Sequence, residues 1–444
     1  MLRLFNSVAE AAPLLRRPPL GDTPLSERAR EGIRRVFGTD LSAQDVVERI
    51  IADVRERGDA AVRDYTAKID GVRRDDLLVR RAEIDAAYAR VPASFVEHLR
   101  SAAERIERYH RKQQRTSFLD VDAGGVLGQL IRPIRRVGLY APGGHAAYPS
   151  SLLMAAIPAA VAGVRERVLA TPPGPDGTVW PATLVAADIA GISEIYCMGG
   201  AQAIAALAYG MATVPPVDKI VGPGNVFVVL AQRMVYGQVG IGSLPGPSEV
   251  VIIANEEAEP RYVAADLLAQ AEHGSGGLTV LLTPSLSFAM AVDREAELLA
   301  AGLERRDVIR ASLATGGGIV ISRDLNEAIS VADDLAPEHL QVCVPEAASL
   351  LPRLGRAGAI FLGSFSPVAL GDYAAGTNHI LPVQRMARFS SPLGVDDFLT
   401  RTGVVMFDQR QMAAIAPTVM GMAEMEGFTA HVQTVQVRLP GGGA

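Results

Sequence analysis

Four short segments carry side chains able to bind a metal ion or move a proton. They are Asp266-Leu267-Leu268-Ala269-Gln270-Ala271-Glu272-His273-Gly274, Ala336-Pro337-Glu338-His339-Leu340, Gly371-Asp372-Tyr373-Ala374-Ala375-Gly376-Thr377-Asn378-His379 and Glu426-Gly427-Phe428-Thr429-Ala430-His431. The chain has seven histidines, and four of them fall in these segments. Imidazole, carboxylate and amide oxygen together make a borderline-hard donor set that suits zinc or a neighbouring divalent ion. In the first segment Gln270 and His273 are three apart, so on a helix they project from one face while Glu272 points elsewhere. Read alone, that segment is also the end of a helix with a dipole-compensating histidine and a glycine cap. Pro337 suits the first turn of a helix, with Glu338 and His339 just after it; the helix dipole explains a glutamate there but not a histidine. Asp372 could equally cap a helix or close an Asx turn. His431, with Glu426 one and a half turns earlier, could lie on a surface helix. The argument for a metal rests on the set rather than on any member.

The elements that must position these residues fall into an order. From residue 25 to about 114 the pattern is helical, with Ser42 capping a helix through Val46, Val47, Ile50, Ile51 and Val54 to Gly58, and Asp59 capping the next. His98 and His110 lie twelve apart on a further helix and share no ligand spacing, which makes them surface or packing residues. After Gly124-Gly125 short β runs alternate with helices: strands at 137–140, 167–171 and 194–198, helices at 150–164, 180–190 and 202–209, and a new unit from 219. A second set begins at 249–254 and continues through strands at 279–283, 318–321 and 359–362. Alternating βαβ units imply parallel sheets covered by helices on both faces, with ligand-binding turns at the carboxyl edge. The expected architecture is two Rossmann-like α/β domains: a helical segment over 1–133 contributing to the first, a first α/β domain over 134–246, a second over 247–390, and a small helical tail over 391–444. No Gly-x-Gly-x-x-Gly fingerprint with a following acid is present, and 240–246 has the wrong glycine spacing.

Composition narrows the function class. A chain of 444 residues is too long for one ordinary core. A net charge of −6 argues against a nucleic-acid partner. The longest apolar run, 152–164, is broken by Pro158 and too short to span a bilayer, and the amino end lacks a signal-peptide layout, so the expected location is cytoplasmic. Cys197 and Cys343 are the only cysteines and read as reduced, buried thiols.

Taken with Gly138-Leu139-Tyr140-Ala141-Pro142-Gly143-Gly144, Gly199-Gly200-Ala201-Gln202-Ala203, Gly222-Pro223-Gly224-Asn225 and Gly246-Pro247-Ser248-Glu249, the four segments closely resemble the histidinol dehydrogenase family over essentially the whole chain. The resemblance implies zinc held by Gln270, His273, Asp372 and His431, and an acid-base pair of Glu338 and His339. It implies substrate contacts from Ser248, Gln270, His273, His339, Asp372, His379, Glu426 and His431, and an NAD site along Tyr140, Gln202 and Asn225. It further implies an intertwined homodimer with His431 supplied in trans. The activity implied is oxidation of L-histidinol through the aldehyde to L-histidine with two NAD, the last step of histidine biosynthesis. In that chemistry His339 takes the hydroxyl proton and Glu338 activates the water that hydrates the aldehyde. A site of Gln, Asp and two His leaves metal positions open, as a catalytic ion needs.

Two loops depart from the family pattern. Gly242 and Pro245 stand where an acid and an alanine are usual, and Val383-Gln384-Arg385-Met386 replaces a threonine and paired glycines. One alternative is therefore a paralogue oxidising another small polar alcohol such as a sulfonated diol, with Arg385 or Arg388 holding the anionic group. From another class, the alternative is a metal-stabilised binding protein without turnover.

Overall fold

The computed structural model describes residues 1–16, 25–122, 124–143, 147–192, 194–244, 246–274 and 276–440. Gly144 of the first glycine motif and Pro245 of the departing loop lie outside the described residues. By its contacts the chain divides into two units, one formed by 1–113 with 135–398 and the other by 114–134 with 399–444.

The larger unit contains two wholly parallel sheets. In the first, Glu194–Cys197, Glu166–Thr171, Arg136–Tyr140, Lys219–Val221 and Gly240–Ile241 lie side by side in that order. In the second the order is Leu4–Phe5, Gly317–Ile321, Leu278–Thr283, Glu249–Ala254, His339–Cys343 and Ala359–Leu362. Leaving out Leu4–Phe5, each sheet runs third, second, first, fourth, fifth along the chain, the doubly wound order of Rossmann-like domains. The α/β expectation thus holds. The sequence reading missed the two-residue strand Leu4–Phe5, which joins the second sheet rather than the first.

Local sequence explains the helices that matter for the site. Ser42 and Asp45 form a reciprocal capping box at the start of Ala43–Arg57. Val46, Val47, Ile50 and Val54 of that helix share a core with Ile204, Leu207 and Val168 of the first domain. Asp59 is the first helical residue of Asp59–Ile69, and Gly58 is its N-cap. Val263, Ala264, Leu267, Leu268 and Ala271, spaced at helical intervals on Pro260–Ala271, pack with Val250, Ile252, Leu281 and Ile319 of the second sheet. That packing fixes the end of the helix, where Gln270 sits.

Helical character does not extend to residue 133. It stops at Gln113, and Phe118–Asp122, Gly125–Pro133 and Leu399–Phe407 form a three-stranded antiparallel sheet in the smaller unit. The tail is accordingly a strand followed by the helices Gln409–Met425 and Thr429–Gln436. Cys197 and Cys343 are buried free thiols, and no described helix is long and apolar enough to cross a membrane.

Candidate active site

Glu338 and His339 do not open a helix. Leu325–Leu335 ends with Ala336 in the left-handed conformation at φ 45°, and His339 is the first residue of the strand His339–Cys343. The backbone carbonyls of Pro337 and Glu338 accept from the Gly358 and Ala359 amides, so the segment is already paired in the sheet. Gly358 is needed there, because a Cβ on it would sit 2.6 Å from the Glu338 carbonyl oxygen.

This places Glu338 and His339 at the amino edge of the second sheet rather than at a carboxyl edge. Ser248 immediately precedes the neighbouring strand Glu249–Ala254, and His339 is in register with Val250. The Glu338 carboxylate accepts from Ser248 Oγ at 2.6 Å and from the Glu249 amide at 2.7 Å, and lies 3.4 Å from His339 Nδ1. Both side chains are buried. Burial alone would raise the Glu338 pKa, but His339, Ser248 and the Glu249 amide outweigh it and hold the carboxyl below its ordinary value. Burial works to lower the His339 pKa; the carboxylates of Glu338 and Asp372 and the Glu249 carbonyl overcome it and raise the value to about 9.

Asp372 lies in the short helix Val368–Tyr373, with Oδ1 3.9 Å from His339 Nε2. His379 returns to it: Nδ1 is 2.7 Å from the Asp372 carbonyl oxygen and Nε2 is 3.0 Å from Ser151 Oγ. A carbonyl only accepts, so Nδ1 carries the proton and Nε2 accepts from the Ser151 hydroxyl. Burial pushes the His379 pKa down. Ser151 belongs to Pro149–Ala162, the helix that follows the strand Arg136–Tyr140. The amino edge of the second sheet therefore meets the carboxyl edge of the first at this cluster.

Ser248, Glu338, His339, Asp372 and His379 are thus brought together. Gln270 is buried in the last turn of its helix, and His273 lies exposed just past the helix end. Neither side chain makes a hydrogen bond or ion pair among the described residues. Glu426, the C-cap of Gln409–Met425, and His431 of Thr429–Gln436 belong to the smaller unit, where both are exposed. Among the described residues no group of three or more His, Cys, Asp or Glu is placed to hold a metal ion. The donor chemistry nevertheless fits one: a carboxylate beside an imidazole, and on another helix the buried carboxamide of Gln270, which has no hydrogen-bond partner among the described residues.

On the first sheet, Tyr140 ends the strand Arg136–Tyr140, and its hydroxyl accepts from the Gly200 amide at 3.0 Å; burial pushes the phenol up to about 12. Gln202 is wholly buried, and neither polar atom of its carboxamide has a partner among the described residues. Asn225 caps Val226–Val235 through Oδ1, at 3.0 Å from the Phe227 amide and 3.2 Å from the Val228 amide. These three mark the carboxyl edge, where a doubly wound sheet binds ligands. An orphaned buried carboxamide there is the kind of group a bound polar ligand satisfies.

Sequence reasoning missed two contributors. The Glu249 backbone donates to Glu338 and accepts from His339, and a backbone role leaves no side-chain signal. Ser151 had no spacing to connect it with His379.

The profile of the histidinol dehydrogenase family matches residues 34–439. Histidinol dehydrogenase of Moorella thermoacetica (strain ATCC 39073 / JCM 9320) is 49% identical over 415 residues, covering 92% of this chain and 98% of that protein. Histidinol dehydrogenase of Geobacillus kaustophilus (strain HTA426) is 47% identical over 421 residues, covering 94% and 99% respectively. The crystal structure of histidinol dehydrogenase from Elizabethkingia anophelis superposes with a TM-score of 0.90 at 33% identity, covering 98% of each chain. On these grounds the chain belongs to the histidinol dehydrogenase family of oxidoreductases.

Proposed function

We propose that this protein oxidises L-histidinol to L-histidine with two NAD and one water, closing histidine biosynthesis. The observation that carries the reading is the buried Glu338–His339 pair, held between Ser248, the Glu249 backbone and Asp372 in a member of this family. Gln270, His273 and Asp372, with His431 from a second copy of the chain, would hold zinc. Tyr140, Gln202 and Asn225 would line the NAD site, and Ser248, His339, His379 and Glu426 would join the metal ligands around the substrate.

When bound, zinc supplies a template for the amino alcohol with some Lewis acidity, and NAD supplies the electron acceptor. His339 takes the hydroxyl proton at Nε2, since Nδ1 is committed to the Glu249 carbonyl. The aldehyde remains in the site and must be hydrated before its second oxidation. Glu338, kept ionised by His339, Ser248 and the Glu249 amide, accepts the proton of the attacking water. Fixing the substrate in one pose lets both oxidations use the same pair of groups.

The test is NADH counted per L-histidinol consumed by zinc-loaded protein. Two NADH per substrate, lost on chelation and restored by zinc, is the expected result. No NADH with histidinol, but turnover of a sulfonated diol, would move the assignment to a paralogue. Arg385 favours keeping that substrate in the test, because it is exposed on the loop whose Val383 and Gln384 pack beside Gly246.

A further inference from the structure

His110 ends the helix Ala93–His110 and is wholly buried. A histidine in a last helical turn is ordinarily explained by attraction of imidazolium to the helix dipole. Burial argues against that here, because it pushes the His110 pKa down and leaves the ring neutral. A neutral buried ring still has two polar atoms to satisfy. Nδ1 donates to the Ile106 carbonyl at 2.7 Å, which in the neutral ring leaves Nε2 as an acceptor, 3.4 Å from Asn378 Nδ2; the Leu393 carbonyl also lies within reach of the ring.

Asn378 is saturated by this contact. Its amide also donates to the Met154 carbonyl at 2.7 Å, and its Oδ1 accepts from the Ile380 amide at 2.8 Å. His379, between these anchored neighbours, bonds the Asp372 carbonyl at one ring nitrogen and Ser151 at the other. The same segment touches the helix once more at Gly376, φ 106°, where a Cβ would lie 2.7 Å from the Arg105 carbonyl oxygen. Three residues after His110, Gln113 Oε1 accepts from the Val395 amide at 3.0 Å. One helix end therefore holds both ends of the loop 378–395 and the approach to Asp372.

We infer that His110 is a positioning residue, acting through Asn378 and His379 to fix the backbone of Asp372 opposite His339. The inference rests on the reading of Asp372 as a zinc ligand. Outer contacts of this kind set ligand direction, and their loss typically weakens metal binding about 10–100-fold.

The test is zinc affinity of the full-length protein by competition with a chromophoric chelator, alongside the melting temperature of the metal-free form. His110→Phe keeps the ring volume but removes the acceptor, and should weaken zinc about tenfold or more. His110→Gln offers an amide oxygen to Asn378 and should recover most of that loss. Parental zinc affinity in His110→Phe overturns the inference. So does equal weakening in both variants with equal loss of melting temperature, which would reduce His110 to helix packing. If His110→Phe does not fold, Asn378→Ser removes the donor of the same bond, and the same loss is expected; parental affinity there is equally fatal. Asp372→Asn separates the two ideas: loss of zinc there but not in the His110 variants rejects only the inference, whereas parental affinity in Asp372→Asn rejects the ligand reading and the inference with it.

Discussion

His339 Nδ1 lies 2.9 Å from the carbonyl oxygen of Glu249. Because a carbonyl only accepts, this bond fixes the tautomer and turns Nε2 toward Asp372. The residue's pKa, raised to about 9, then has a kinetic consequence. With His339 as the proposed base, the free base is the active form, so turnover should rise with pH through neutrality, reach half its maximum near pH 9 and level off above it. A rate profile already flat from pH 6 would show that His339 is not the base.

Glu338 supplies much of that upward pull, and the pair should respond together. Glu338→Gln removes the proposed second base and the charge that holds the His339 proton. Its turnover should fall about 10²–10⁴-fold, and the rising limb should move to lower pH. An unmoved limb in a stopped-flow pH series would separate the two groups.

Gly358 backs the same pair from the next strand. Gly358→Ala puts a methyl group 2.6 Å from the Glu338 carbonyl oxygen, a backbone contact with little room to yield. Overpacking of this kind costs about 1–3 kcal/mol, measurable by urea unfolding. Turnover should fall as well, since the atom that must move belongs to Glu338. Unchanged stability would mean the edge of the sheet is looser than its pairing indicates.

Asp70 is the C-cap of Asp59–Ile69, with one carboxylate oxygen buried and without a partner among the described residues, and burial raises its pKa to about 6. The folded state therefore favours the neutral acid. The group opposes folding above pH 6, and that penalty fades as pH falls toward the unfolded value. Asp70→Asn should stabilise the protein by roughly 1–3 kcal/mol at pH 7.5. The gain should shrink toward zero near pH 4. A pH-independent change in melting temperature would refute the assignment.

The proposed sharing of the site between two copies makes a separate prediction. Neither His431→Ala nor Gln270→Ala should be active alone, yet refolding the two together should produce activity, because one site of each mixed dimer keeps all its ligands. Failure to exceed either parent mutant would place His431 in the same chain's site.

Much of this was legible in residue order. Ser42 announces the start of its helix, where the structure adds Asp45 to complete a capping box, and the apolar face leading to Gln270 is a local periodicity that the core of the second sheet then uses. Pro337-Glu338-His339 misled because a proline followed by a glutamate is a local sign of a helix start. Its real conformation is set by amides from Gly358 and Ala359, some twenty residues away, which no local pattern encodes. The strands Phe118–Asp122 and Leu399–Phe407 escaped for another reason. Leu119, Val121, Val405 and Met406 are exposed in this chain, so the strands lack the one-sided burial that sequence patterning tracks. The meeting of two opposite sheet edges at Ser151 and His379 depends on how the domains pack, and only coordinates express that.

The register of Leu4 with Ile319 also bears on synthesis. In a chain that grows from its amino end, this edge strand exists long before its partner does. It has to wait beside the ribosome while the whole first sheet and most of the second are made. A strand made this early is thus among the last to find its place, and bulk attached ahead of Leu4 would burden the finishing of the second domain rather than the start of the first.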